Sequence, residues 1–315
     1  MSSLYKVTKI EGKGLVCIAM TDISKGSLIL NENPQMSAEQ RWGEMGSEKW
    51  IKSLLKSFNE MSKANQLEYM TLKNKCSWLI DRNSALKSRI SQMEKDSEKA
   101  DEIFQICCIY ESYSMSDGFR IKTSSFKHSC QPNAVKVQKS ISLFEVRAIS
   151  NIKTGQEINL NLSIDPFYGF KSKIDRQEIL LNAPPFVLCS CDLCESDIDI
   201  DANAFKALIL EAEELANSRR SLENVREQVK CYKKMYNVGK TLKIQHYFLY
   251  YKVLKLAFNT AKFGCLMFQA ADLKMEAESL MITMKKFGKI LGDDATLKSE
   301  ETIFNGHIAF KICNK

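Results

Sequence analysis

The sequence predicts an α+β protein: a strand-rich module split by a long helical insertion, closed by a thiol cluster and followed by an all-helical region. Three observations carry that expectation. Short apolar runs punctuated by glycine stand on both sides of the insertion. Between them, residues 37–109 hold no proline and show a 3.6-residue apolar period. Finally, Cys189-Ser190-Cys191-Asp192-Leu193-Cys194 packs three thiols into six residues near the middle of the chain.

Residues 5–34 predict brief strands, with Leu15-Val16-Cys17-Ile18-Ala19 and Ser27-Leu28-Ile29-Leu30 broken by Gly12, Gly14, Gly26 and Pro34. Trp50, Ile51, Leu54, Leu55 and Phe58 then mark an amphipathic helix within the insertion. Strand character returns over 119–162. Ala134 to Val137 and Ser142 to Ala148 flank a turn near Lys139, and Gly155 precedes a last strand from Glu157 to Leu162. After Cys194, an acidic linker (Asp197, Asp199, Asp201) leads to three apolar helical stripes. The first is Phe205, Leu208, Ile209, Ala212, Leu215 and Ala216. The second is Val225, Val229, Tyr232 and Tyr236. The third runs through Ala270, Leu273, Ala277, Leu280, Met281, Met284 and Phe287. They predict antiparallel helix pairs in a bundle or short solenoid, without a clean repeat period. The expected division is 1–36, 37–109, 110–170, 171–196 and 197–315.

A chain of 315 residues holds one large domain or two modest ones. Its net charge of +7, from 45 basic and 38 acidic residues, is spread along the sequence with no basic run longer than two residues. That permits an acidic partner but carries no nucleic-acid signal. No apolar stretch is long enough for a bilayer, and Met1 to Lys6 lack a signal-peptide core. The eleven cysteines therefore read as reduced thiols of an intracellular protein, in cytoplasm or nucleus. Cys17, Cys76, Cys107, Cys108, Cys231, Cys265 and Cys313 lack metal-like spacing and are expected to fill cores.

The C-x-C-x-x-C cluster is different. A tetrahedral Zn²⁺ takes four soft ligands at about 2.3 Å, and one tight turn can supply three of them. The fourth must come from elsewhere. Cys130, in Lys127-His128-Ser129-Cys130-Gln131-Pro132-Asn133-Ala134, is the best candidate.

In this order, the segments resemble the SET-domain family of protein-lysine methyltransferases, closest to the SET-and-MYND group with its split catalytic domain and helical C-terminal domain. Gly12-Lys13-Gly14-Leu15, with Asp22 to Gly26, resembles the opening motif. His128 to Ala134 is similar to N-H-S-C-x-P-N-A. Val146 to Ile149, through Gly155-Gln156-Glu157-Ile158, resembles the strand-turn-strand that follows, and Cys189 to Cys194 the post-SET motif. The MYND finger is missing, since residues 36–106 contain one cysteine and no histidine.

The resemblance implies a SET β-fold with a helical insertion, a post-SET site and a C-terminal helical domain. It implies a structural Zn²⁺ held by Cys130, Cys189, Cys191 and Cys194. S-adenosylmethionine would lie against Lys13, Gly14, Phe126, Lys127 and His128. The partner would be a lysine-containing protein or peptide, with the C-terminal helices helping to choose it or binding another protein.

Several positions depart from the family pattern. The tyrosine closing G-E-E-I-x-x-x-Y is Leu162, so no catalytic residue is assigned. The asparagine before His-Ser-Cys is Lys127, and an upstream asparagine aligns with Glu111. Glu111 could complement the cofactor's ammonium group, or it could pair with Lys127 and fill the site. Phe186 is the one aromatic left before the cysteine motif, and Tyr168 the hydroxyl that a loop movement could bring to the channel. His246 and His307 are expected to be structural or exposed. Two readings follow: a working methyltransferase, or a degenerate SET protein acting as a binding scaffold.

Overall fold

The computed structural model describes residues 4–11, 14–38, 46–72, 80–114, 118–138, 143–163, 168, 171–182, 187–196, 202–218, 221–241, 247–291, 297–298 and 301. Strand β1 (Tyr5–Ile10) pairs antiparallel with β2 (Gly14–Ala19), from Tyr5 opposite Ala19 to Ile10 opposite Gly14. Strands β3 (Leu28–Glu32), β5 (Ala134–Gln138) and β6 (Phe144–Ala148) form an antiparallel sheet in the order β3-β6-β5. The expected turn at Lys139 lies outside the described residues. Strand β4 (Lys127–His128) runs parallel to β7 (Asn159–Leu160).

Strand β7 is shorter than the predicted Glu157-to-Leu162 strand, and the reason is a change of partner. Glu157 bridges to Ile18 of β2, whereas Asn159 and Leu160 pair with β4. One side chain spans the switch: Asn133 Nδ2 donates to the Glu157 carbonyl (2.8 Å), and its Oδ1 accepts from Asn159 N–H (2.9 Å). These bonds satisfy backbone groups that a longer ladder would have paired. The core beneath is apolar, with Cys17, Phe126, Val146, Ile158 and Leu160 all buried.

The insertion folds as α1 (Glu48–Glu60), α2 (Lys63–Met70), α3 (Ile80–Met93) and α4 (Ser97–Tyr113). Ser47 caps α1 by accepting from Trp50 N–H, and Asp96 caps α4 through Glu98 and Lys99 N–H. Such caps satisfy donors that a helix start leaves open. Trp50, Ile51, Leu54 and Phe58 point inward as the period predicted, and meet Tyr69, Cys107, Cys108, Tyr110 and Phe119 in one core.

The two ends of the insertion sit side by side. Phe119 N–H donates to the Met36 carbonyl (2.7 Å), and Gln35 N–H to the Phe119 carbonyl (2.9 Å). Helices can therefore be carried here without separating the flanking strands. At this seam Gly118 has φ +132°, and a Cβ there would lie 2.6 Å from the Met36 carbonyl oxygen. Gly118→Ala is expected to cost about 2–3 kcal/mol, because both the backbone conformation and the contact oppose it. A denaturant midpoint unchanged from wild type would contradict this.

Asp22 joins the turn after β2 to the turn before β7, accepting from Lys153 Nζ (2.7 Å), Thr154 N–H (2.9 Å) and Thr154 Oγ1 (3.1 Å). The Lys153 ammonium, followed by the Thr154 backbone, holds its carboxyl down at about 2. A lowered folded-state value stabilises above the ordinary carboxylate pKa, and that stability is lost as pH falls through about 2. The Asp22 carboxyl carbon shift in NMR is expected to titrate near 2. A midpoint near 4 would mean the clasp does not persist in solution.

Helices α7 (Ala202–Asn217), α8 (Leu222–Thr241), α9 (Tyr247–Phe268) and α10 (Ala271–Leu291) pack each against the next. Three of them match the predicted stripes, although Ala216 is exposed. Helix α9, for which the sequence predicted no stripe, lies between α8 and α10 and buries Val253, Leu254, Ala257, Phe258, Ala261 and Cys265 along one face. Its other face carries Lys255, Asn259 and Lys262. Gly264 lets it approach closely, since a Cβ there would meet Val225 Cγ1 at 2.6 Å and Leu273 Cδ1 at 2.4 Å. Val135, Val137 and Ile149 join this helical core, so the bundle and the sheet share buried surface. Among the described residues no helix is long and apolar enough to cross a membrane.

Candidate metal centre and cofactor cleft

Cys130 follows directly from the β4–β7 pair. Ser129 N–H donates to the Leu160 carbonyl (2.8 Å), and Ser129 Oγ accepts from Gln131 N–H (3.1 Å), fixing the turn that presents the thiol. The other three sulfurs come from the segment after α5 (Lys173–Asn182). Gln177 of α5 clasps the backbone of Cys189 on both sides, through Cys189 N–H to Oε1 (2.9 Å) and Nε2 to the Cys189 carbonyl (2.7 Å). Cys191 opens the single turn α6 (Asp192–Glu195), and Cys194 N–H folds back onto the Cys191 carbonyl (2.7 Å).

The four sulfurs of Cys130, Cys189, Cys191 and Cys194 all lie within 4.8 Å of one another. Cys130 Sγ is 3.3 Å from Cys194 Sγ and 3.8 Å from Cys189 Sγ. Four thiolates around one tetrahedral Zn²⁺ would stand about 3.8 Å apart, so this donor set fits the ion. Cys130 N–H points at Cys191 Sγ (3.4 Å), a backbone donor suited to a thiolate. Hydrogen bonds from Cys130 and Cys189 hold Cys191 well below the usual thiol range. Their counterpart pushes Cys130 far up, with burial adding to it. Neutral thiols this close must share protons among themselves, a tension that a divalent ion relieves by taking all four as thiolates.

A buried chain leads away from Cys130. Tyr168 is fully buried, its hydroxyl 3.2 Å from Cys130 Sγ and 3.2 Å from His128 Nε2. On the far side of the ring, His128 Nδ1 accepts from Leu162 N–H (3.1 Å). A neutral imidazole accepting at Nδ1 carries its proton on Nε2, so His128 donates to Tyr168 and the hydroxyl is left to donate to sulfur. Burial first, then the Cys130 charge, drives the Tyr168 phenol far above its ordinary value. Tyr168, the hydroxyl considered from the sequence for the channel, rests here against Cys130 and His128. It is locked on the thiol cluster.

Arg176, also on α5, is fully buried beside the same sulfurs. Its Nη1 donates to the Lys171 carbonyl (2.6 Å), whereas Nε and Nη2 find no hydrogen-bond partner of good geometry. Burial alone would lower its pKa, but the charge of Cys130 and hydrogen bonding to Cys194 raise it. Sequence reasoning missed Arg176 and Gln177. Both sit in a charged stretch, Lys173 to Glu178, where nothing local distinguishes a buried arginine from a solvated one.

The expected cofactor residues are placed as follows. Gly14 opens β2 at φ +78°, and Lys127 Nζ lies 3.6 Å from where its Cβ would be. The Lys127 ammonium thus rests on the glycine turn. Phe126 is buried against Tyr5, ring centroids 5.3 Å apart, and His128 is turned toward Tyr168 and Leu162. Glu111 is buried on α4, and the Leu162 side chain packs on the strand core. Lys13, Phe186, His246, His307 and the acidic linker lie outside the described residues.

Residues 14–161 match the family model for the SET domain. No curated protein gives a significant match. Among solved structures, the chain is similar to the SET domain of LSMT bound to lysine and AdoHcy, at 12% identity and TM-score 0.34, covering 97% of this chain and 89% of that one. It is similar to Rubisco LSMT bound to AdoMet at 14% identity and TM-score 0.34, with the same coverage.

Proposed function

We propose that this chain is a zinc-stapled SET protein of the S-adenosylmethionine-dependent protein-lysine methyltransferase class, related to the SET-and-MYND group but lacking its finger. The observation carrying this reading is the cluster of four sulfurs, which ties the matched SET region to the segment 171–196. Zn²⁺, held by Cys130, Cys189, Cys191 and Cys194, would be structural, since four protein ligands leave no open position for substrate. Its role would be to fix Cys130, and through it the His128 loop, against the post-SET segment.

Bound S-adenosylmethionine would supply an electrophilic methyl group to a neutral lysine amine of a protein or peptide. This chain's part would be to position the reactants and exclude water. The Gly14 turn, Phe126, Lys127 and His128 would line the cofactor side, with Lys13 beside them, and the C-terminal helices would present the protein partner. An intracellular setting, in cytoplasm or nucleus, suits a reduced tetrathiolate site.

A second reading, a SET scaffold that has lost transfer, is favoured by two observations. Leu162 offers no hydroxyl at the tyrosine position, and Tyr168 is held on the thiols instead. The Lys127 ammonium on the Gly14 turn would also repel a sulfonium cation. Isothermal titration of the zinc-loaded protein with S-adenosylmethionine decides between them. Micromolar binding supports the enzyme; no heat up to millimolar ligand supports the scaffold.

A further inference from the structure

A guanidinium enclosed by protein demands a negative partner, since an isolated buried charge costs several kcal/mol. Arg176 is fully buried in the wall of the thiol cluster, and two of its three nitrogens have no partner of good geometry. Four neutral thiols offer it little. Four thiolates around a divalent ion carry a net charge of −2, which one guanidinium reduces to −1. No other lysine or arginine among the described residues is buried in this cluster; the other fully enclosed guanidinium, Arg120, stacks on Phe144 at 4.2 Å and serves the sheet instead.

We propose that Arg176 is the counter-charge of the metal centre, a positioning residue that lets all four cysteines remain thiolates in a buried site. The Nη1 bond to the Lys171 carbonyl aims the fork. Tyr168 adds a neutral donor to Cys130, so the fully buried cation beside the sulfurs is Arg176. This rests on the zinc reading of the cluster, and it adds a requirement that the four ligands by themselves do not reveal.

The test compares the zinc dissociation constants of the full-length wild type, Arg176→Gln and Arg176→Lys by competition with a chromogenic chelator. Arg176→Gln is expected to bind zinc 10- to 100-fold more weakly, the usual cost of losing a group that supports metal ligands. Arg176→Lys keeps the charge and is expected to stay within about fivefold of wild type, whether or not the glutamine variant can be purified. Wild-type affinity in Arg176→Gln would overturn the proposal. So would a lysine variant that fails to fold or is weakened as much as the glutamine variant, since charge would then not be what the site uses. Wild type that holds no zinc sinks the metal reading itself, whereas zinc in wild type with unchanged variants sinks only the role of Arg176.

Discussion

Cys130→Ser is expected to empty the metal site and cost the protein about 5 kcal/mol or more, the largest effect of any single change considered. Cys130 is the one sulfur contributed by the matched region 14–161, and the remaining three come from a six-residue segment after α5. Losing it leaves three thiolates around a buried Arg176 and breaks the Tyr168–Cys130 contact. Loss of a structural metal belongs with the few mechanisms that exceed ordinary point-mutation costs. The readouts are zinc content after dialysis and the denaturant midpoint. Cys107→Ala is the control, because Cys107 is buried in the helical insertion and kept neutral by burial. Equal zinc in both variants would remove Cys130 from the site.

The second large effect is a gain. Leu162→Tyr is expected to raise methyl transfer by about 10²–10³ if the rest of the site is competent, since an oriented hydroxyl at a transition-state site is worth that much. The substitution leaves the Leu162 N–H to His128 bond untouched, because that bond uses the backbone. Combining it with Lys127→Asn removes the ammonium from the Gly14 turn and is expected to strengthen S-adenosylmethionine binding. Labelled methyl incorporation into a protein lysate reads the outcome. Leu162→Phe supplies the ring without the hydroxyl, and a phenylalanine variant as active as the tyrosine variant would contradict the reasoning.

Much of this was legible in the sequence, and the parts that were not have physical reasons. The C-x-C-x-x-C spacing forces three sulfurs into one turn, so local sequence alone announces them. Their meeting with Cys130 across 59 residues or more depends on tertiary pairing, so the sequence offers Cys130 only as a candidate, which the family resemblance strengthens. The insertion was readable from the Trp50-to-Phe58 period because it buries one helix face. Helix α9 was not, because exposed apolar residues such as Leu256 and Met267 blur the contrast between its buried and open faces. The short β7 was over-read as a strand, since an alternating pattern does not tell one continuous partner from two successive ones. Tyr168 and Arg176 were opaque for a third reason. A polar residue's role depends on what surrounds it, and the thiols they serve are distant from Tyr168 and only partly local to Arg176.

The most direct check is X-ray absorption at the zinc edge, with elemental analysis, on full-length protein purified without chelator. One zinc per chain, with a first shell of four sulfurs at about 2.3 Å, is the predicted result. Protein that contains no zinc, or a shell with nitrogen or oxygen in place of a sulfur, would contradict the account.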